Sequence, residues 1–189
     1  MSEPARAERR PLDIRVGSAT DGLAPVSFAE RSLSAGAWQW AGLGAVALAA
    51  AAADQLTKEL VSSRLVLGDE DHVLGPFSIH HVENTGIAFG LFSNSTAIVT
   101  VLTAAAVAWM LWFFARSGSR HPVLPAALGL LIGGSVSNLI DRVRLGHVTD
   151  FLDIGSWPAF NLADSFIVVG VAILLAALFA ADRRPRARL

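Results

Sequence analysis

Four long stretches without a charged residue constrain the fold of this chain more than any other feature. They occur at about residues 36–53, 96–114, 122–140 and 165–181. The hydrocarbon core of a bilayer is about 30 Å thick, and a helix needs roughly 17 to 20 residues to cross it. Each stretch reaches that length once its flanking residues are included. We therefore predict an all-α membrane protein with four transmembrane helices.

The composition agrees with a membrane protein and excludes several kinds of site. Charged residues make up 16% of the chain, against about 25% in a typical soluble domain. The net charge of −1 gives no overall field that would attract nucleic acid. The chain has no cysteine, which excludes disulfides and thiolate nucleophiles. Because its histidines show no HExxH spacing either, we expect no metal and no cofactor.

The distribution of Lys and Arg predicts the orientation in the membrane. If the N-terminus, the 115–121 loop and the C-terminus share one side, that side holds 11 of the 15 basic residues. Basic residues favour the cytoplasmic side, so both termini are expected in the cytoplasm. Residues 62–94 and 143–160 then form the exterior loops.

The chain divides into one membrane domain and two tails. Residues 1–35 are rich in Arg, Glu, Ala, Pro and Ser and lack periodicity, which predicts a disordered cytoplasmic tail. We expect no cleavable signal peptide, since no apolar stretch follows a short basic start. Residues 36–182 form the predicted membrane domain, and residues 183–189 a short basic cytoplasmic tail.

The exterior loops predict structure of a second kind. Residues 65–67 and 77–82 are short β-prone runs, and Gly68, Gly75 and Pro76 punctuate them as turns. This pattern predicts a small extracytoplasmic β-sheet. The 143–160 loop is expected to rest on the membrane surface, as a loop or a helix.

Two aspartates, Asp150 and Asp164, lie fourteen residues apart on the predicted outer side. A carboxylate at a membrane boundary is costly, so each is a candidate functional residue. Helix capping alone also explains Asp164: Asn161 could cap the last helix, with Asp164 favoured in its first turn by the helix dipole. Capping does not explain Asp150. Two carboxyl groups converging from neighbouring segments favour acid–base chemistry.

Uncharged polar residues stand at the outer ends of different predicted spans. One such residue is usually a cap or an interhelical hydrogen bond, but Asn84, Asn138 and Asn161 together favour a lined site. Gly86 permits close approach of the backbone to another helix or to a ligand.

Two pairs of charged residues complete the candidates. Asp54 and Lys58 are spaced i, i+4 on one helix face, where they could pair with each other or contact a ligand. For Asp141 the spacing favours a structural ion pair with the adjacent Arg142, at the membrane interface. Arg142 itself could equally well have a structural role or contact a substrate carbonyl.

The polar segments resemble the motifs of the lipoprotein signal peptidase family, also called signal peptidase II. The matching segments are DQLTK (54–58), NTGIAFGLF (84–92), GGSVSNLIDR (133–142), VTDF (148–151) and FNLADS (160–165). They occur in the family's order, and the resemblance covers about residues 36–182. It implies an aspartic endopeptidase of the bacterial inner membrane, which cuts prolipoproteins before a diacylglyceryl-modified cysteine.

The resemblance also assigns roles to residues. It implies that Asp150 and Asp164 are the catalytic pair and that Asp54, Lys58 and Asp141 support the site. Residues expected to bind substrate are Asn84, Gly86, Asn138, Arg142 and Asn161. The implied partners are prolipoproteins and membrane lipids, and we expect a monomer. One departure is Ser137, which stands where the family often has Gly.

Two other functions fit parts of the pattern. A proton-coupled carrier could use Asp150 and Asp164 as relays, but it would favour acids near mid-span and a repeat between halves. Here the acids lie at span ends, and no repeat is evident. A non-enzymatic scaffold could use the polar segments only as helix caps. The peptidase remains the leading hypothesis.

Overall fold

The computed structural model describes residues 35–86, 95–117 and 121–182. Within these residues the helices are α1 (Ala37–Arg64), α2 (Thr96–Ser117), α3 (Leu124–Leu145) and α4 (Leu162–Asp182). The strands are β1 (Glu70–Leu74), β2 (Phe77–Asn84) and β3 (Val148–Asp153). Apart from Ala35, the predicted tails at 1–35 and 183–189 lie outside this description.

Three of the helices are long and apolar enough to cross a membrane among the residues described. They are Thr96–Ser117, Leu124–Leu145 and Leu162–Ala180, so the chain is a mostly helical, multi-pass membrane protein. The fourth predicted span lies in α1, whose 28 residues measure about 42 Å. Asp54, Gln55 and Lys58 in its second half make α1 less apolar than the other three.

Helix α3 packs against each of the other helices. Leu43 of α1, Phe114 of α2 and Leu131 of α3 belong to one buried apolar cluster. Because this cluster joins the helices through a shared core, α3 sets the position of the residues at its own outer end.

Two adjacent glycines let α3 approach two helices at once. Gly133 lies against the backbone of Ala47 in α1, and Gly134 lies against the backbone of Ala163 in α4. A Cβ at either position would overlap main-chain atoms, so only glycine allows these close contacts. The contact with Ala163 holds the first turn of α4 against α3.

The three strands form one antiparallel sheet in the order β1-β2-β3. The β-prone run at 77–82 lies in β2, as predicted, and a turn at Gly75 and Pro76 joins it to β1. Pairing of β2 with β3 places Val82 opposite Asp150 and Asn84 opposite Val148. The sheet therefore brings the segment between α1 and α2 together with the segment between α3 and α4.

One prediction about these loops is wrong. Residues 65–67 are not a strand, because α1 continues to Arg64 and the Leu65 N–H donates to the Val61 carbonyl to close its last turn. For the 143–160 segment a loop or a helix was predicted, and no surface helix forms there. Instead α3 runs to Leu145 and ends at Gly146, whose φ of 84° suits glycine, before β3 begins.

Candidate active site

Asp150 is held in β3 by two amide donors. Asn84 Nδ2 donates to its Oδ2 at 2.9 Å, and Asn161 Nδ2 donates to its Oδ1 at 2.6 Å. Only 2% of Asp150 is exposed. The pKa of Asp150 is raised to about 7: burial and the nearby Asp164 carboxyl raise it, whereas the two amide donors and the Lys58 ammonium lower it. Asp150 therefore changes protonation state near neutral pH.

Asp164 lies in the first turn of α4, in a reciprocal cap with Asn161. The Asp164 N–H donates to Asn161 Oδ1 at 2.9 Å, and the Asn161 N–H donates to Asp164 Oδ2 at 3.3 Å. The predicted cap is therefore present. Asn138 Nδ2 donates to the other oxygen, Oδ1, at 2.9 Å. The cap and Asn138 together fix the direction of the Asp164 carboxyl group.

Asn161 connects the two carboxyl groups. It is fully buried, and it donates to Asp164 from its backbone and to Asp150 from its side chain. Both aspartates line one cleft of about 570 Å³. The carboxyl groups therefore converge on one site, although they come from a strand and a helix.

A buried ion cluster lies behind this site. Lys58 Nζ is 2.7 Å from Asp54 Oδ2 and 2.7 Å from Asp141 Oδ2, and it donates to Asn138 Oδ1 at 2.8 Å. The predicted pairing of Asp54 with Lys58 is confirmed. The expected pairing of Asp141 with Arg142 is wrong, because Lys58 reaches Asp141 from the neighbouring helix α1.

The same cluster connects three helices. Asp54 Oδ1 accepts the Ala163 N–H of α4 at 2.9 Å, and Oδ2 accepts Ser137 Oγ of α3 at 2.7 Å. Gln55 Nε2 donates to Asp141 Oδ1 at 2.7 Å and to Ser137 Oγ at 3.1 Å. Gln55 and Ser137 were not among the predicted site residues. The departure from the family pattern at Ser137 was the available signal.

Arg142 and Gly86 meet at the edge of the cleft. Arg142 Nη2 donates to the Gly86 carbonyl at 3.0 Å, and the Gly86 N–H donates to Asn84 Oδ1 at 2.9 Å. Arg142 Nε is buried and has no hydrogen-bond partner among the residues described. Both polar backbone groups of Gly86 are thus engaged, whereas Arg142 keeps one free donor.

The rest of the cleft is mainly apolar. One wall is α4, through Ile167, Val168 and Val169, and another is the loop after β3, through Ile154 and Trp157. Val168 is 67% exposed and Val169 is 48% exposed. The cleft therefore opens onto the apolar outer face of α4. The residues described contain no group of three or more His, Asp or Glu arranged to hold a metal.

Comparison with known proteins identifies the family. Residues 46–180 match the family model for signal peptidase (SPase) II. The lipoprotein signal peptidase of Symbiobacterium thermophilum is 41% identical over 145 residues, covering 74% of this chain and 95% of that protein. That of Moorella thermoacetica is 40% identical over 130 residues, covering 68% and 87%.

Solved structures agree with this match. A bacterial membrane enzyme solved by the in meso method at 2.3 Å resolution is similar with a TM-score of 0.72 and 28% identity, covering 76% of this chain and 91% of that one. A second, at 1.9 Å resolution, has a TM-score of 0.65 and 30% identity, with 70% and 89% covered. This chain belongs to the signal peptidase II family.

Proposed function

We propose that this chain is an aspartic endopeptidase that removes the signal peptide of a prolipoprotein, cutting before the diacylglyceryl-modified cysteine. The observation that carries this proposal is the convergence of Asp150 and Asp164 on one cleft with an apolar wall. The class of substrate follows from the relatives, which are lipoprotein signal peptidases.

Asp150 and Asp164 act as one acid–base unit in the proposed reaction. Two neighbouring carboxyl groups do not both ionise readily, so the pair retains a proton to a higher pH. The ionised member takes a proton from a water held between them, and that water attacks the scissile carbonyl. The protonated member donates to the carbonyl oxygen, which gives a gem-diol. The first member then passes the proton that it took from water to the amide nitrogen, the C–N bond breaks, and a hydroxyl of the gem-diol returns a proton to the second member. Because the pair titrates together, neither aspartate is assigned a fixed proton.

The pKa of Asp150, raised to about 7 chiefly by burial, supports this role. An acid–base group is most effective when its pKa lies near the working pH. Asn84 and Asn161 each occupy one oxygen of Asp150, so the carboxyl group is held in one orientation. This preorganisation lowers the entropy lost on reaching the transition state.

Five residues around the pair are proposed to bind the peptide. Arg142 lines the cleft, and its guanidinium group is proposed to donate to a substrate carbonyl. Asn84, Asn138 and Asn161 supply amide groups beside the carboxyl pair. Gly86 is proposed to act through its backbone, by fixing Asn84 and Arg142.

The apolar walls suit the lipid part of the substrate. Val168 and Val169 continue the cleft onto the outer face of α4, where lipid is expected. The acyl chains of the modified cysteine can then stay in lipid while the scissile bond reaches Asp150. The acyl chains lie in lipid before and after binding, so they contribute by holding the scissile bond at the depth of the cleft. A lipidated substrate is therefore expected to be cut more efficiently than an unlipidated one.

We further propose four spans, in the bacterial inner membrane, with both termini cytoplasmic and the cleft near the outer leaflet. Helix α1 is long enough to cross, and Asp54 and Lys58 on it are buried inside the bundle, away from lipid. The membrane domain is then residues 36–182, flanked by cytoplasmic tails. A monomer is sufficient, because one chain supplies every group of the proposed site.

Cleavage of a synthetic precursor peptide with and without a diacylglyceryl-cysteine tests the activity. The purified protein is expected to cut before the lipidated cysteine, and the unlipidated peptide to be cut at least about 10-fold less efficiently. Asp150→Asn is expected to lower kcat by at least about 1,000-fold, because it cannot exchange a proton.

Asp153→Asn is the matched control, since Asp153 lies in the same strand but pairs with His80 and does not line the cleft. This variant is expected to keep normal cleavage. Normal cleavage by folded Asp150→Asn protein, or equal cleavage of both peptides, contradicts the proposed function.

A further inference from the structure

Lys58 is a buried charge that the proposed reaction does not use. Its side chain is 5% exposed and does not line the cleft. Its three contacts are with Asp54, Asp141 and Asn138, from helices α1 and α3. An ammonium group has three N–H donors and no acceptor, so these three oxygens satisfy it completely. The ammonium is therefore fixed in place.

We propose that Lys58 is a positioning residue that sets the orientation of two amide groups, Asn138 and Asn161, and through them the donors to both catalytic carboxyl groups. The proposal rests on the proposed function for its catalytic consequence. It assigns Lys58 a role beyond that of a structural ion pair.

The first step is the orientation of Asn138. A side-chain amide presents an acceptor on one side and a donor on the other, and its neighbours decide which way it points. Because Lys58 can only donate, the atom of Asn138 that faces it at 2.8 Å is Oδ1. The Nδ2 group must then point the other way, where it donates to Asp164 Oδ1 at 2.9 Å.

The second step is the orientation of Asn161. Asn138 Oδ1 also accepts from Asn161 Nδ2 at 3.1 Å, so the donor side of Asn161 must face Asn138. The same Nδ2 lies 2.6 Å from Asp150 Oδ1. Asn161 Oδ1 is left to accept the Asp164 N–H, which forms the helix cap. One ammonium group therefore determines a donor to each carboxyl group.

The third step is electrostatic. The positive charge of Lys58 opposes the rise in the pKa of Asp150 that burial causes. Asp54 and Asp141 hold Lys58 and offset its charge, while Arg142 faces the same carboxyl pair from α3. Loss of Lys58 removes the orienting donor and this charge together. Both losses favour the protonated carboxyl pair.

The test compares Asp141→Asn with the double variant Lys58→Met/Asp141→Asn. Removing Lys58 alone leaves two buried carboxylates without a cation, which could prevent folding. The double variant keeps the charge of the cluster at that of the natural protein, since it removes one positive and one negative group. Asp141→Asn keeps Lys58 and its bond to Asn138, so the difference between the two variants isolates Lys58.

We expect kcat for the lipidated peptide to be about 100-fold lower in the double variant than in Asp141→Asn. KM is expected to change less than kcat, because Lys58 itself does not line the cleft and affects peptide binding only through Asn138 and Asn161. The acid limb of kcat/KM against pH is expected to move up by about one pH unit, as for loss of a hydrogen bond to a charged group. Similar melting temperatures would show that both variants fold.

Equal kcat and an unmoved acid limb in two folded variants would overturn the role of Lys58 while leaving the proposed function intact. If the double variant alone fails to fold, Lys58→Leu/Asp141→Asn replaces it, because leucine also has no donor for Asn138, and it is judged by the same pH profile. If neither Asp141→Asn nor the natural protein cleaves the lipidated peptide, the result instead contradicts the proposed function.

Discussion

Two pairs of carboxylates lie in the described part of the bundle, and they have opposite surroundings: Asp54, Asp141 and Asp150 are buried, and Asp164 is half-buried. Asp54 and Asp141 are bridged by the Lys58 ammonium at 2.7 Å from each, and neither lines the cleft. The carboxyl groups of Asp150 and Asp164 accept hydrogen bonds from Asn side-chain and backbone amides, and both residues line the cleft. Burial therefore does not by itself set the role of a carboxylate: the first pair is bridged by a cation behind the cleft, whereas the second lies on the cleft, where we propose that substrate binds.

Removing a carboxyl group from the cation-bridged pair is expected to affect stability most. Asp54→Ala leaves Lys58 with one carboxylate fewer and removes the acceptor for the Ala163 N–H. Loss of one member of a buried ion pair costs about 3–5 kcal/mol of the free energy of unfolding. Denaturant unfolding in detergent measures this loss. A change below about 1 kcal/mol would contradict a structural role for Asp54.

Removing Asp150 is expected to have the opposite effect on stability. Its pKa in the folded protein is about 7, above the ordinary value of 3.8, so folding binds a proton between these pH values. Stability from this group is complete below pH 4 and is lost as the pH rises towards 7. Asp150→Asn carries no such loss, so it should gain stability relative to the natural protein as pH rises, by at most about 4 kcal/mol.

Melting temperatures at pH 5 and pH 8 check this sign. Asp153→Asn serves as control, because hydrogen bonds from Gly155 and His80 lower the pKa of Asp153. That variant should lose stability relative to the natural protein above the Asp153 pKa. A constant difference between Asp150→Asn and the natural protein at both pH values would contradict the burial of an ionisable Asp150.

A smaller effect on activity is expected from Asn84, which contacts Asp150 but neither member of the cation-bridged pair. Asn84→Ala removes one donor to Asp150 Oδ2, which disfavours the ionised carboxyl group. The acid limb of the pH–rate profile is therefore expected to move up by about one pH unit. An acid limb that stays in place would show that this hydrogen bond is absent during catalysis.

The smallest effect is expected at Ser137, which contacts Asp54 of the cation-bridged pair but neither Asp150 nor Asp164. Ser137→Ala removes its hydrogen bond to Asp54 and is expected to cost about 1 kcal/mol of stability. The pH–rate profile should not change, because Ser137 contacts neither Asp150 nor Asp164. A shifted pH–rate profile in Ser137→Ala would contradict the claim that the two pairs act independently.

The apolar helices and the cap were predictable, because each depends on residues that are close together in the sequence. Apolar length predicted the cores of α2, α3 and α4, and Asn161 with Asp164 formed the expected cap. The exterior loop was predicted to begin at residue 62, but α1 continues to Arg64. The charged residues after position 53 do not end the helix, because Asp54 and Lys58 are buried inside the bundle.

Contacts between distant residues were not predictable in this way. The pairing of β2 with β3 joins residues more than sixty positions apart, and no local pattern specifies its register. Asp141 was expected beside Arg142 because they are adjacent in sequence, but Lys58 is its partner across helices. Asp150 and Asp164 were candidates from their position at the ends of predicted spans, and the motif resemblance assigned them as the catalytic pair, but the contacts that bring them together required the fold.

The central claim is that Asp150 and Asp164 act as one unit, and a double-variant cycle tests it most directly. The measurement is kcat/KM for the lipidated peptide with Asp150→Asn, Asp164→Asn and the protein carrying both changes. Groups that act together are non-additive, so each single variant is expected to lose about as much activity as the double variant. Losses that multiply independently, or a single folded variant within about 10-fold of the natural protein, would contradict the account.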